Sequence, residues 1–148
     1  MTIFRLTQYF RRKNRPLFYF FFLWFRRLKL KYGFDISYRT KIGNGLYIGH
    51  FGNVVIHGDA IIGNNCNISH GITIGINNSG KLVGVPTIGN NVFIGPGACV
   101  FGKITIGDNV VIGANAVVTE DIPAFSTVLC QKSIIINKDL SSYYIKNI

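Results

Sequence analysis

Four side chains in this 148-residue sequence are read as candidates for acid–base chemistry: His50, His57, His70 and Asp35. Asp35 stands 15 residues before His50, and His70 stands 20 residues after it. A carboxylate that accepts a hydrogen bond from one ring nitrogen of a histidine fixes its tautomer and leaves the other nitrogen free as a base. A lone histidine on an apolar scaffold is more often structural or solvated, so each candidate depends on what the chain brings beside it. His57 follows an inward-facing Ile56 and is read as a surface residue. There is no G-x-S-x-G and no G-K-[ST] phosphate loop. The histidines are spaced seven and thirteen apart, with Asp59 the one acid close to His57, which argues against a zinc triad, so no metal is expected.

The elements that must position these groups repeat every six residues. Ile88, Ile94, Val100, Ile106, Ile112 and Val118 form one aliphatic set, and Val92, Ala98, Ile104, Val110, Ala116 and Ile122 recur four residues later. Neither a helix nor a plain strand has a period of six. A parallel β-helix does. Each hexad is a short strand and a turn, three hexads close a coil of about 18 residues, and Gly and Asn serve the corners where φ is positive.

Two breaks interrupt the period. Ile42 and Ile48 are six apart, but Ile48 and Ile56 are eight apart, so two residues are inserted in GHFGNVV, around His50. A bulge of this kind re-aims a side chain. Residues 76–86, INNSGKLVGVP, cannot be a wall strand and are expected to leave the prism as an exposed loop. Ser133 to Asn137 read as one more strand, and the last ten residues as a loose tail or a short helix.

The formal net charge is +10. Residues 1–41 hold eleven basic residues against Asp35 alone, and the rest of the chain is balanced, so the excess is no nucleic-acid footprint spread over the domain. The aromatic run Leu17 to Phe25, LFYFFFLWF, is too short to cross a bilayer. Two readings stay open for it. Helices split at Pro16 lie on a membrane surface, or the aromatics pack on the end of the β-helix or on a neighbour. Cys66, Cys99 and Cys130 form no C-x-x-C pair, which fits a reducing, cytoplasmic setting. The expected organisation is a basic aromatic helical segment at 1–33, the repeat domain at 34–128, and a strand and tail at 129–148.

The hexads, with DISYRTKIGNGLYIGH, GDAIIGNNCNISHGITIG and VPTIGNNVFIGPGACVFGKITIGDNVVIGANAVVTEDIP, resemble the hexapeptide-repeat acyltransferases across about residues 35–128. Within them the chain is similar to the serine acetyltransferase branch and the related saccharide O-acetyltransferases. The resemblance implies an all-β, left-handed parallel β-helix, a homotrimer with sites between subunits, and acetyl-CoA as co-substrate. It implies catalytic roles for His50 and Asp35 and a coenzyme A groove along Gly75, Ile94, Gly95, Pro96 and Ala114, largely through backbone groups.

Serine acetyltransferases carry an Arg-His pair where this chain has Gly84 and Val85, and a carboxylate without a cationic fork loses most of its recognition. The family's ending is replaced by Leu129-Cys130-Gln131-Lys132, and His70 stands where the serine enzymes have a non-basic residue. The expectation drawn from these departures is a saccharide O-acetyltransferase in surface polysaccharide assembly. His70 and Val85 would then face the acceptor, which the basic N-terminus could meet on a lipid-linked glycan at the inner membrane face. A serine O-acetyltransferase of cysteine biosynthesis and a non-catalytic β-helix scaffold are the alternatives, and nucleic acid is not an expected partner.

Overall fold

A computed structural model describes residues 1–131, so the strand expected at Ser133 to Asn137 lies outside the described residues. The chain winds into a left-handed parallel β-helix of about five coils. The first face stacks β1 (Phe34–Ile36), β4 (Val54–Ile56), β7 (Thr73–Gly75), β10 (Cys99–Phe101) and β13 (Val117–Val118). The second stacks β2 (Lys41–Ile42), β5 (Ile61–Ile62), β8 (Thr87–Ile88) and β11 (Thr105–Ile106). The third stacks β3 (Tyr47–Ile48), β6 (Asn67–Ile68), β9 (Phe93–Ile94), β12 (Val111–Ile112) and β14 (Thr127–Val128).

The inward aliphatic residues form the core. Ile56, Ile74, Val100 and Val118 stack under the first face, Ile62, Ile88 and Ile106 under the second, and Ile68, Ile94 and Ile112 under the third, all buried. The corners are held by amide ladders as well as by backbone conformation. Between the second and third faces the Asn64 side chain accepts from Asn44 N–H, Asn90 from Asn64 N–H and Asp108 from Asn90 N–H, at 2.8, 2.8 and 2.6 Å. One residue further on, Asn65, Asn91 and Asn109 have φ of 54°, 54° and 57°.

The register locates both breaks. Val55 pairs with Thr73 and Cys99 with Val117, the 18-residue step of a regular coil. Phe34 pairs with Val54, so the first coil is two residues longer. Thr73 pairs with Cys99, so the third coil is eight longer, and those eight form the loop. That loop is a small hairpin closed by two hydrogen bonds between Asn77 and Gly84, at 2.9 and 3.0 Å.

Two helices precede the coils, α1 (Thr2–Phe10) and α2 (Arg15–Tyr32). Helix α1 plugs the open end of the prism. Phe4 is buried there against Phe25, the Arg5 guanidinium donates to Gly43 O, and the Gln8 amide donates to Tyr38 O and Thr40 O at 3.1 and 3.0 Å. These donors satisfy carbonyls that the first coil would otherwise leave unpaired. Pro16 does not split the helices. The break falls at residues 11–14, where the Asn14 side chain caps α2 by accepting from Leu17 N–H, and Pro16 sits in the first turn of α2, where its missing N–H costs nothing. Gly33 ends α2 in the left-handed conformation, φ 69°.

Candidate active site

One edge of the prism, between the third and first faces, gathers His50 and His70. A regular turn there uses a left-handed residue in each coil: Gly71, Gly97 and Asn115, with φ of 71°, 70° and 58°. The first coil instead carries its two extra residues at this edge. The bulge is tied down where Gly52 N–H donates to Tyr32 O at 2.8 Å and Val54 N–H to Gly33 O at 3.3 Å. It turns His50 outward beside His70, which the pairing of Ile48 with Ile68 sets directly on the next coil. The two imidazoles meet edge to face, ring centroids 5.5 Å apart at 85°. Both residues are solvent-exposed, and the His70 carbonyl is held by Gly97 N–H at 3.1 Å. An accessible imidazole beside a second one can take a proton from a hydroxyl and pass it on.

Asp35 lies on the same face in β1 but is engaged elsewhere. Its carboxylate accepts from Lys29 Nζ at 2.9 Å, and no hydrogen bond among the described residues joins it to His50. Lys29 is the residue that sequence reasoning missed. It lies six positions earlier across a helix end, a relation with no periodic signature. His57 is tied into its own turn, its Nδ1 accepting from Asp59 N–H at 3.2 Å. The described residues contain no cluster of three or more His, Cys, Asp or Glu able to hold a metal.

The remaining candidates divide between two edges. Gly95, Pro96 and Ala114 follow the histidines along their edge, one and two coils further on. A Cβ on Gly95 would lie 2.8 Å from Ala114 N, so this glycine lets neighbouring coils stack. The Ile94 side chain is fully buried, leaving only its backbone to face a ligand. Gly75 sits at the opposite edge of the first face, where a Cβ would lie 2.5 Å from the Phe101 ring. A groove of about 380 Å³ runs past Asp35, Val55, Gly75 and Phe101 at this edge. Val85 stands at the foot of the loop, on the same far edge, and does not join His70 within one chain. Beside it, Gly84 has φ 138°, and a Cβ there would lie 3.0 Å from Lys103 Cβ. Lys103 is exposed and makes no ion pair among the described residues.

Residues 86–120 match the family model for the bacterial transferase hexapeptide (six repeats). The chain is 45% identical over 74 residues to the serine acetyltransferase of Helicobacter pylori, a match covering 49% of this chain and 42% of that protein. The fold superposes on the Entamoeba histolytica serine acetyltransferase isoform 3 in complex with cysteine with a TM-score of 0.76 and 34% identity, over 95% of this chain and 50% of that one. The Brucella abortus serine acetyltransferase in complex with coenzyme A gives a TM-score of 0.76 at 27% identity, over 91% of this chain and 53% of that one. The chain thus spans about half the length, or less, of the relatives it matches. These relatives overturn the expectation of a saccharide acceptor, lipid-linked or otherwise, and with it a place in polysaccharide assembly: they are serine acetyltransferases. The reason lies in what the Gly84-Val85 substitution reports. It removes one way of holding a carboxylate, which says nothing about another cation taking over.

Proposed function

We propose that this chain, which belongs to the hexapeptide-repeat transferases, is an acetyl-CoA-dependent O-acetyltransferase whose acceptor is the hydroxyl of serine. The paired His50 and His70 imidazoles on one open edge of the prism carry the reading. His50 takes the hydroxyl proton as the serine oxygen bonds to the acetyl carbonyl carbon. The carbon–sulfur bond then breaks, and the departing sulfur receives that proton from His50 and leaves as the coenzyme A thiol. His70 holds the acceptor oxygen against His50. Asp35 orients His50 after leaving Lys29. That ion pair is exposed on the Asp35 side and holds the carboxylate by no more than about 1 kcal/mol, so the exchange is cheap. The backbone at Gly95, Pro96 and Ala114 borders the pantetheine arm on the same edge.

The serine carboxylate needs a cation. Lys103 supplies it, filling the space that a side chain at position 84 would need. Lys103 and Val85 lie at the far edge of the face from His50. A homotrimer in which the loop edge of one copy meets the histidine edge of the next therefore completes the site. The setting is the cytoplasm, consistent with three free cysteines.

Thiol release from acetyl-CoA with serine, together with detection of O-acetylserine, tests this directly. Wild type turns over, and His50→Ala loses on the order of 10²–10⁴-fold in kcat. Thiol release that serine does not raise above the acceptor-free rate sinks the assignment.

A further inference from the structure

We propose that the outward stripe of α2 is a docking surface for an anionic lipid bilayer. The inference is independent of the acetyl-transfer reading. The two helices of the N-terminal segment have different jobs. Helix α1 is committed to the end of the prism through Phe4, Arg5 and Gln8, so it cannot lie on a surface. Helix α2 turns Phe25 inward and leaves its opposite side open.

Phe20, Leu23 and Trp24 share one helix face at three- and four-residue spacing, and Leu30 joins it seven residues after Leu23. They are 59%, 59%, 45% and 77% exposed, and the aromatic contacts of Phe20 and Trp24 are with each other and with Phe21 of the same helix. Arg27 falls within this stripe and Arg26 beside it, the turn before α2 adds Arg11, Arg12 and Lys13, and Arg15 opens α2 itself. None of these six forms an ion pair among the described residues, and residues 1–34 contain no acid. An apolar helical stripe set among uncompensated arginines, whose long stems let the charge reach the headgroups, is the chemistry of an interfacial helix on anionic lipid. The charge pattern disfavours a second copy of the chain: two such stripes face to face would bury Arg27 of each copy in the seam with no acid on α2 to pair it. Helix α2 itself is not long and apolar enough to cross the bilayer.

Trp24 is the chain's single tryptophan, so its fluorescence reads this surface alone. The full chain is mixed with vesicles of phosphatidylcholine, or of phosphatidylcholine with phosphatidylglycerol. The expected result is a blue shift, and quenching by brominated lipid, with the anionic vesicles only. R26Q/R27Q, with unchanged circular dichroism, is expected to weaken partitioning by roughly tenfold or more. Emission unmoved by anionic vesicles overturns the proposal, as does an equal response to both compositions. A shift that follows protein concentration without lipid also overturns it, because a second copy then covers the stripe.

Discussion

Lys103 and Gly84 show how a single missing Cβ bears on acceptor recognition. Gly84 sits at φ 138°, where a side chain is strained, and the volume beside it belongs to Lys103. Lysine is a point charge on a flexible stem, whereas the arginine fork binds a carboxylate in two places. Lys103→Ala is therefore expected to raise KM for serine about tenfold or more with kcat little changed, since a charge-assisted hydrogen bond shielded between subunits is worth about 1.5–3 kcal/mol. Serine amide, which lacks the carboxylate, should serve wild type and variant alike. Equal serine KM values for the two proteins would remove Lys103 from the site while leaving acetyl transfer itself intact.

At the scale of the element, the corner between the second and third faces asks for the same conformation once per coil. Gly45, Asn65, Asn91, Asn109 and Phe125 occupy it in turn, with φ of 73°, 54°, 54°, 57° and 60°. Glycine and asparagine tolerate this region, and phenylalanine does not. Phe125 is 82% exposed, so little packing compensates for the strain. Phe125→Asn should stabilise the chain by about 1 kcal/mol, read as a higher urea midpoint at an unchanged m-value. A lower midpoint would mean that the Phe125 ring has a partner which offsets the strain.

Over the whole molecule, each coil rests on its neighbours, and α1 covers the first coil at the carbonyls of Tyr38, Thr40 and Gly43. Cys66 reports on that stack from inside. It is buried in the second coil, and its Sγ lies 3.3 Å from Gly89 O on the next. Burial pushes its thiol pKa up, a backbone hydrogen bond at Val92 opposes this, and the Asp108 carboxylate adds to the rise. The fold thus favours the neutral thiol. The stability linked to Cys66 is complete below the ordinary thiol range and is lost as pH rises through the higher folded value. An aromatic disulfide reagent at pH 8 should label Cys99 and Cys130, which are at least partly exposed, well before Cys66. Cys66 should follow at the rate of coil opening, with a steep urea dependence. Labelling of Cys66 as fast as Cys99 would show that the coils open one at a time.

The hexads alone determined the prism, because a period of six with an aliphatic residue in each unit has one way to bury that residue. They also determined both breaks, since a coil that gains two or eight residues must bulge or send out a loop. The 20-residue spacing of His50 and His70 was readable for the same reason: it equals the length of the coil that carries the bulge. What tertiary structure decided were relations with no period. The pairing of Asp35 with Lys29 spans a helix end. The division of labour between α1 and α2 depends on which face meets the prism, and both helices are rich in the same residues. Gly84 reads as a lost contact in the sequence, and only in three dimensions does its empty volume turn out to be filled by Lys103, 19 residues away along the chain.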